Sequence, residues 1–110
     1  MIKINYDREN LVLKMRGHAN SAEPRKDIIC SAASILAYTL AQNVKYLEKG
    51  GVAKDVNVIL EEGNALISCR PVEEKETLLC VYDTVTTGFM LLSATYPGYV
   101  EFCEKRRSVV

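Results

Sequence analysis

Twice along this chain the spacing of the apolar residues changes from an alternating to a helical pattern, and this repeated change most narrows the folds open to it. Apolar and polar residues alternate between Ile2 and Arg16, as they do in strands with one buried face. From Asp27 to Leu47 the apolar residues recur every three or four positions, which indicates a helix. An alternating stretch and then a helical one follow again between residues 55 and 96. The pattern therefore predicts strands and helices in two successive groups.

The first group comprises a hairpin, a loop and a helix. The strands are predicted at Ile2–Tyr6 and Leu11–Arg16, and the loop at residues 17–26, which hold Gly, Asn, Ser and Pro. The helix has Asp27 as its expected N-cap and ends before Gly50-Gly51. Its buried stripe is predicted to comprise Ile29, Ala33, Leu36, Leu40, Val44 and Leu47.

The second group repeats this order and adds a last strand. A hairpin is predicted from Asp55–Leu60 and Ala65–Arg70, and a helix opens with Glu73–Glu76 and closes at Pro97-Gly98. Residues Tyr99–Lys105 are typical of a final strand. The buried stripe of the second helix is predicted to comprise Leu78, Tyr82, Val85, Phe89, Leu92 and Tyr96.

These elements predict an α+β fold in the order ββαββαβ. We expect a largely antiparallel sheet of four to five strands, with two helices packed on it. The length of 110 residues suits one domain, residues 1–110.

Composition excludes several classes of protein. Hydrophobic residues form 48% and charged residues 25% of the chain, as in ordinary globular domains. Fourteen basic residues balance fourteen acidic ones, so no net charge favours nucleic acid, and we expect no direct nucleic-acid binding. The N-terminal segment lacks the apolar core of a signal peptide, and no later segment is expected to span a membrane. We therefore expect a cytoplasmic protein that binds no membrane.

The cysteines are spaced too widely for a structural metal site. Cys30, Cys69, Cys80 and Cys103 include no Cys-x-x-Cys pair, and the chain holds one histidine. Structural zinc requires four convergent ligands, so we expect no metal. A reducing compartment also disfavours disulfides, and Cys69, Cys80 and Cys103 are predicted to lie in the core as small apolar residues.

Cys30 and His18 are the candidates for chemistry. With Asp27 as N-cap, Cys30 lies in the first helical turn, where free backbone amides and the helix dipole stabilise a thiolate. His18 follows a predicted strand, so the loop after it can return the imidazole to the thiol as a general base. The pair is a candidate nucleophile–base dyad.

The helix offers further groups to the same site. Cys30, Ser34, Ala37 and Ala41 are predicted to share a face of small residues that leaves room for substrate. Ser34 is expected to hydrogen-bond within the site or to substrate, and the amides at the helix start to hold an oxyanion.

Each residue also has an ordinary structural interpretation. A single histidine at the end of a strand commonly forms surface hydrogen bonds, and a cysteine early in a helix is commonly buried and inert. Gly17 serves a turn, Asp27 a helix cap, and Ser34 a helix surface equally well. The residues alone leave both interpretations open.

A family resemblance adds to this pattern. Gly17-His18-Ala19, then Asp27-Ile28-Ile29-Cys30 with eleven residues between His18 and Cys30, and then Ser34, resemble the ribosomal-processing cysteine protease family called Prp. Gly-His-Ala alone is not specific, whereas its combination with Asp-x-x-Cys-x-x-x-Ser at this distance is. The resemblance extends over the order of elements along the whole chain.

The resemblance implies a homodimeric cysteine endopeptidase. By this resemblance the substrate is the N-terminal extension of ribosomal protein number twenty-seven of the large subunit, which is cut after a short aromatic-containing sequence, and an apolar cleft that receives an aromatic side chain is expected. By this resemblance Cys30 is the nucleophile and His18 the base, and Gly17, Ala19, Asp27 and Ser34 are supporting positions. The family uses no metal or cofactor.

One departure and two rival functions stay open. The family commonly has a glycine before its Lys-Asp pair, whereas Pro24-Arg25 precedes Lys26-Asp27 here, and Pro24 is expected to stiffen the loop. A thioesterase or amidase would use the same dyad. A non-catalytic module that binds the ribosome would instead have an unreactive Cys30.

Overall fold

The computed structural model describes residues 1–18 and 26–105. Five strands and two helices follow one another in the predicted order, so the α+β fold is confirmed. The predicted loop between the first strand pair and the first helix lies largely outside the described residues. The elements are β1 (Ile2–Asp7), β2 (Val12–Arg16), α1 (Lys26–Lys49), β3 (Ala53–Glu61), β4 (Asn64–Pro71), α2 (Glu76–Thr95) and β5 (Val100–Lys105).

The strands form one mixed sheet in the order β3-β4-β2-β1-β5. β4 pairs antiparallel with both β3 and β2, and β2 pairs antiparallel with β1. β5 lies parallel to β1, with Ile2 opposite Val100. A parallel neighbour requires a crossover, and α2 supplies it by carrying the chain across one face of the sheet. The sheet is thus largely antiparallel, as expected, with one parallel pair.

Both helices pack on the same face of the sheet. On β1, Ile2, Ile4 and Tyr6 are buried beneath them, whereas Lys3 and Asn5 point to the opposite face and are exposed. This alternation is what a sheet with one covered face requires. The largest fully buried side chains include Tyr6, Ile4, Leu11, Leu13, Ile29, Leu40, Val44, Ile67, Leu78, Tyr82, Phe89 and Val100.

The helix starts differ from the prediction, and one difference concerns Cys30. α1 begins at Lys26, so Asp27 lies inside the first turn and is not the N-cap. Cys30 is consequently the fifth helical residue, one full turn in, instead of the third. α2 begins at Glu76, and the expected opening carboxylates of Glu73 and Glu74 precede it. The carboxylate of Asp27 still lies near the positive end of the helix dipole.

The helices approach closely at Gly88. A Cβ atom at this position would lie 2.6 Å from Cδ2 of Leu36 on α1. Gly88 therefore serves the packing of α2 against α1 within the chain. A methyl group here would displace the end of the Leu36 side chain.

α2 is long and apolar enough to span a membrane, although no segment was expected to be. It is the one helix among the described residues whose length and apolar composition suit a membrane span. Core helices meet the same criterion, and Leu78, Tyr82 and Phe89 are buried in the core of this fold. The apolar content of α2 is thus explained in part by packing.

A polar cluster joins β1 to α2. The hydroxyl of Tyr6 donates to Oδ1 of Asp83 at 2.9 Å, and Arg8 donates to both carboxylate oxygens at 2.9 to 3.2 Å. The ring of Tyr6 stacks on that of Tyr82, with centroids 6.0 Å apart. Burial, with the hydrogen bond to Asp83 second, raises the pKa of Tyr6 well above its ordinary value, so the phenol remains a donor.

Replacing Asp83 by Ala should lower the free energy of unfolding by about 1–3 kcal/mol, because the buried hydroxyl of Tyr6 loses its acceptor. Urea denaturation measures the loss. In a Tyr6→Phe background the same substitution should cost clearly less, since no hydroxyl is left without a partner. Equal costs in the two backgrounds would show that the hydrogen bond contributes nothing.

Candidate active site

His18 and Cys30 line the same cleft. This cleft has a volume of about 530 Å³ and lies between the start of α1 and the β3–β4 hairpin, beside the end of β2. Gly17, Asp27 and Ser34 also line it, whereas Ala19 lies outside the described residues. The fold therefore brings together five of the six residues that the sequence singled out. A nucleophile and a base that share a cleft are the minimum that thiol catalysis needs.

The backbone before His18 is fixed by its neighbours. Gly17 has φ +97°, and a Cβ atom there would lie 2.3 Å from the carbonyl oxygen of Met1. Only glycine fits both the conformation and the space. The N–H of Gly17 donates to the carbonyl oxygen of Gly63 at 3.0 Å, and the amino group of Met1 donates to that of His18 at 2.6 Å. His18 thus leaves the sheet along a defined path.

The start of α1 supplies the thiol. Cys30 is half-buried and faces the cleft, whereas the preceding Ile29 is fully buried in the core. The first backbone N–H groups of a helix have no acceptor within it, and in α1 they include those of Asp27 and Ile28. Cys30 follows these amides in the chain and is not one of them.

The predicted face of small residues is only partly a substrate surface. Ala37 and Ala41 are buried, with 0% and 2% of their surface exposed, and belong to the hydrophobic core. Ala37 also borders the cleft at its floor. The prediction was wrong for Ala41, because the helix turns that position towards α2 and the sheet rather than towards the open cleft.

No sequence pattern predicted the apolar and acidic borders of the cleft. Met15, Tyr38 and Leu60 line it from β2, α1 and β3. Tyr38 and Leu60 are 53% and 38% exposed, which is high for such large apolar side chains beside a cleft. Glu61 and Glu62 line the cleft from the hairpin. These residues come from three distant segments, so no local motif contains them.

The other cysteines are placed differently from the prediction. Cys69 is buried as expected, and burial raises the pKa of its thiol. Cys80 and Cys103 are exposed, so the expectation that they belong to the core is wrong. Cys103 lies on the same exposed face of β5 as Glu101. Cys80 lies on the outer side of α2.

A larger cleft of about 640 Å³ lies around Arg8, Lys75 and Asp83. Its described lining includes no histidine or cysteine, so it offers no thiol chemistry. Among residues 1–18 and 26–105, no group of three His, Cys, Asp or Glu side chains is arranged to hold a metal ion.

Comparison with known proteins adds a family and a fold. Residues 1–101 match the family model described as Cysteine protease Prp. Two structures of the ribosomal processing protease Prp from Staphylococcus aureus, with a substrate peptide and with a covalently linked product peptide, are similar to this chain. They show 17% and 18% identity and TM-scores of 0.69 and 0.68, and the match covers 94% of this chain and 97% of theirs.

A third similar structure is that of SMU.848 from Streptococcus mutans. It shows 19% identity and a TM-score of 0.66, and the match covers 96% of this chain and 93% of that one. At such identities the likeness concerns the fold alone. No curated protein matches the chain significantly.

Iodoacetamide at pH 6 should alkylate Cys30 faster than Cys80, although Cys80 is the more exposed. Both are the fifth residue of their helix, so the helix dipole acts alike on both and Cys80 is a matched internal control. We expect this difference because His18 lines the same cleft as Cys30, and an imidazole there can accept the thiol proton. Peptide mapping by mass spectrometry gives the two rates.

The same measurement on His18→Ala should bring the rate of Cys30 down to that of Cys80. A Cys30 that reacts no faster than Cys80 in the unsubstituted protein would contradict an activated nucleophile.

Proposed function

This chain belongs to the Prp cysteine protease family, whose members process ribosomal proteins, and we propose that it does so with Cys30 as nucleophile and His18 as general base. The observation that supports this assignment is the cleft that both side chains line. Asp27, which lies in the first turn of the same helix, and Gly17, which directs the chain into His18, are proposed as supporting residues. Ser34, one turn after Cys30, is proposed to hydrogen-bond within the site or to substrate.

The chemistry follows from the two side chains. His18 takes the proton of the Cys30 thiol, and the thiolate sulfur attacks the scissile carbonyl carbon. The imidazolium then gives its proton to the leaving amine as the C–N bond breaks, which leaves a thioester on Cys30. Water attacks the thioester with His18 as base, and the thiolate leaves with the carboxylic acid product free. No metal or cofactor takes part.

The free amides at the start of α1 are proposed to hold the oxyanion. Their N–H groups lack intrahelical acceptors and precede Cys30 directly in the chain. A tetrahedral intermediate on the sulfur of Cys30 places a negative oxygen near this helix end. Donors that are fixed before the reaction stabilise such a charge without reorganisation.

The proposed substrate is the N-terminal extension of ribosomal protein number twenty-seven of the large subunit. Two features of the cleft support a substrate of this kind. Met15, Tyr38 and Leu60 provide an apolar surface that suits an aromatic side chain next to the scissile bond. Glu61 and Glu62 give the border a negative charge that complements the basic character of a protein that binds RNA.

The proposed assembly is a homodimer in the cytoplasm. The outer surface of the two helices carries the exposed apolar residues Ile35 and Leu91, which border a groove of about 370 Å³ between α1 and α2. Exposed apolar side chains grouped in this way are typical of interfaces. A second copy of the chain is the occupant that the family resemblance implies, and its own helical surface would be self-complementary about a twofold axis.

The decisive experiment uses the host's ribosomal protein with its extension intact. The purified protein should remove the extension at one peptide bond, whereas Cys30→Ala and His18→Ala should each lower the rate at least about 10³-fold, since each removes one half of the dyad. Intact mass spectrometry identifies the products. Cys80→Ala, which removes an exposed thiol outside the cleft, is the control and should cleave normally.

Hydrolysis of small thioesters without any cleavage of the precursor would replace the protease by a thioesterase. A folded protein that cleaves neither would be a binding module, and the proposal would then be wrong.

Light scattering at micromolar concentration should give twice the monomer mass. Leu91→Lys should shift the protein towards the monomer, because it buries a charge in the proposed interface. Asn5→Lys, at an exposed position on the uncovered face of the sheet, is the control and should leave the mass unchanged. A monomer mass for the unsubstituted protein contradicts the dimer.

A further inference from the structure

Gly63 occupies the tip of the hairpin that borders the cleft. Glu61 pairs with Asn64 across the hairpin, so Glu62 and Gly63 alone form the turn. Gly63 has φ +73°, a conformation that L residues adopt at a cost. A turn of this kind explains a glycine by itself. The turn does not explain why the imidazole of His18 lies beside this glycine.

The imidazole of His18 lies against the bare α-carbon of Gly63. A Cβ atom at this position would be 2.6 Å from Nε2, 3.0 Å from Cε1 and 3.4 Å from Cδ2 of His18. These three atoms form the outer edge of the ring. A side chain heavier than hydrogen at Gly63 would therefore overlap the imidazole in its present orientation.

The same residue also holds the backbone that leads to His18. The carbonyl oxygen of Gly63 accepts the N–H of Gly17 at 3.0 Å. This bond continues the β2–β4 pairing one step beyond Arg16 and Asn64. Gly63 thus contacts His18 from its ring side and fixes the residue before it through the main chain.

A second turn shows that this contact is not a general property of such glycines. Gly51, which follows α1, has φ +76°, nearly the value of Gly63. No heavy atom lies within 4 Å of a Cβ atom built on Gly51. The two positions have nearly the same positive φ, and only Gly63 has an imidazole beside its α-carbon.

We propose that Gly63 is a positioning residue for the catalytic base: its missing side chain sets the place and rotation of the His18 imidazole. The proposal rests on the role of His18 given above. A substituent at Gly63 would push the ring away from its place beside the cleft, while Cys30 and the substrate surface stay where they are. A displacement of this size at a reacting group lowers the rate of the chemical step more than the binding of substrate.

The test compares Gly63→Ala with Gly51→Ala, two substitutions with the same backbone strain. Gly63→Ala should lower kcat for precursor cleavage about 10- to 100-fold and change KM less than about threefold. Gly51→Ala should leave both constants within about twofold while losing a similar amount of stability in urea. Gly63→Asn is the second variant, because Asn tolerates positive φ but carries a Cβ, and it should be as slow as Gly63→Ala while folding better.

The imidazole can be observed without any activity. His18 is the single histidine of the chain, so its ring signals in NMR spectra need no assignment among others. Their chemical shifts and their titration with pH should change in both Gly63 variants and remain as in the unsubstituted protein in Gly51→Ala.

The outcomes separate this proposal from the proposed function. Unchanged ring signals and unchanged kcat in the Gly63 variants would overturn the positioning role, although the protease assignment would stand. If the unsubstituted protein cleaves nothing, the proposed function fails, and the ring signals still decide whether Gly63 places the imidazole.

Discussion

The pairing of β4 with β2 is the contact on which the rest of the structure depends. This pairing joins the first hairpin to the second, because β4 lies between β3 and β2 in the sheet. Its last step, from the N–H of Gly17 to the carbonyl oxygen of Gly63, directs the chain from the sheet into the cleft. Without this strand pairing, His18 and the β3–β4 hairpin would belong to separate parts of the molecule. The candidate site is therefore a product of sheet register as much as of the residues that line it.

The pairing also explains the different roles of the cysteines. Cys30 lies at the cleft because α1 starts beside the paired strands β2 and β4. Ile29, directly before it, is buried in the core. Cys69 lies on β4, where the alternation turns it under the helices and burial keeps its thiol neutral. Cys80 and Cys103 lie on outer surfaces. The position of each thiol in the fold, more than the residue type, decides whether it can react.

Local periodicity predicted the elements well, and the site less well. The alternation in β1 and the helical stripes of α1 and α2 identified most of the core, because each pattern reports on one surface of one element. The exposure of Cys80 was not predicted, although Cys80 lies two residues from both Leu78 and Tyr82 and therefore on the far side of α2 from the predicted stripe. The partner of β5 was equally hidden, because hydrogen bonding between distant strands leaves no local pattern. The same reason hid Leu60, which lines the cleft, and Gly63, which contacts His18, because sheet pairing brings both there.

The parallel contact of β5 with β1 has a consequence for how the chain acquires its structure. Ile2 pairs with Val100, so one edge of β1 has no pairing strand until a segment almost a whole domain later in the chain has been synthesised. Contacts of such long sequence separation form late, because the chain between them must first be ordered. During synthesis the first hairpin therefore presents a free strand edge, which is a site for pairing with other chains. The closing strand lies at the far end of the sheet from the hairpin that borders the cleft. Its pairing is therefore expected to cover the free edge after the side with the candidate site has formed.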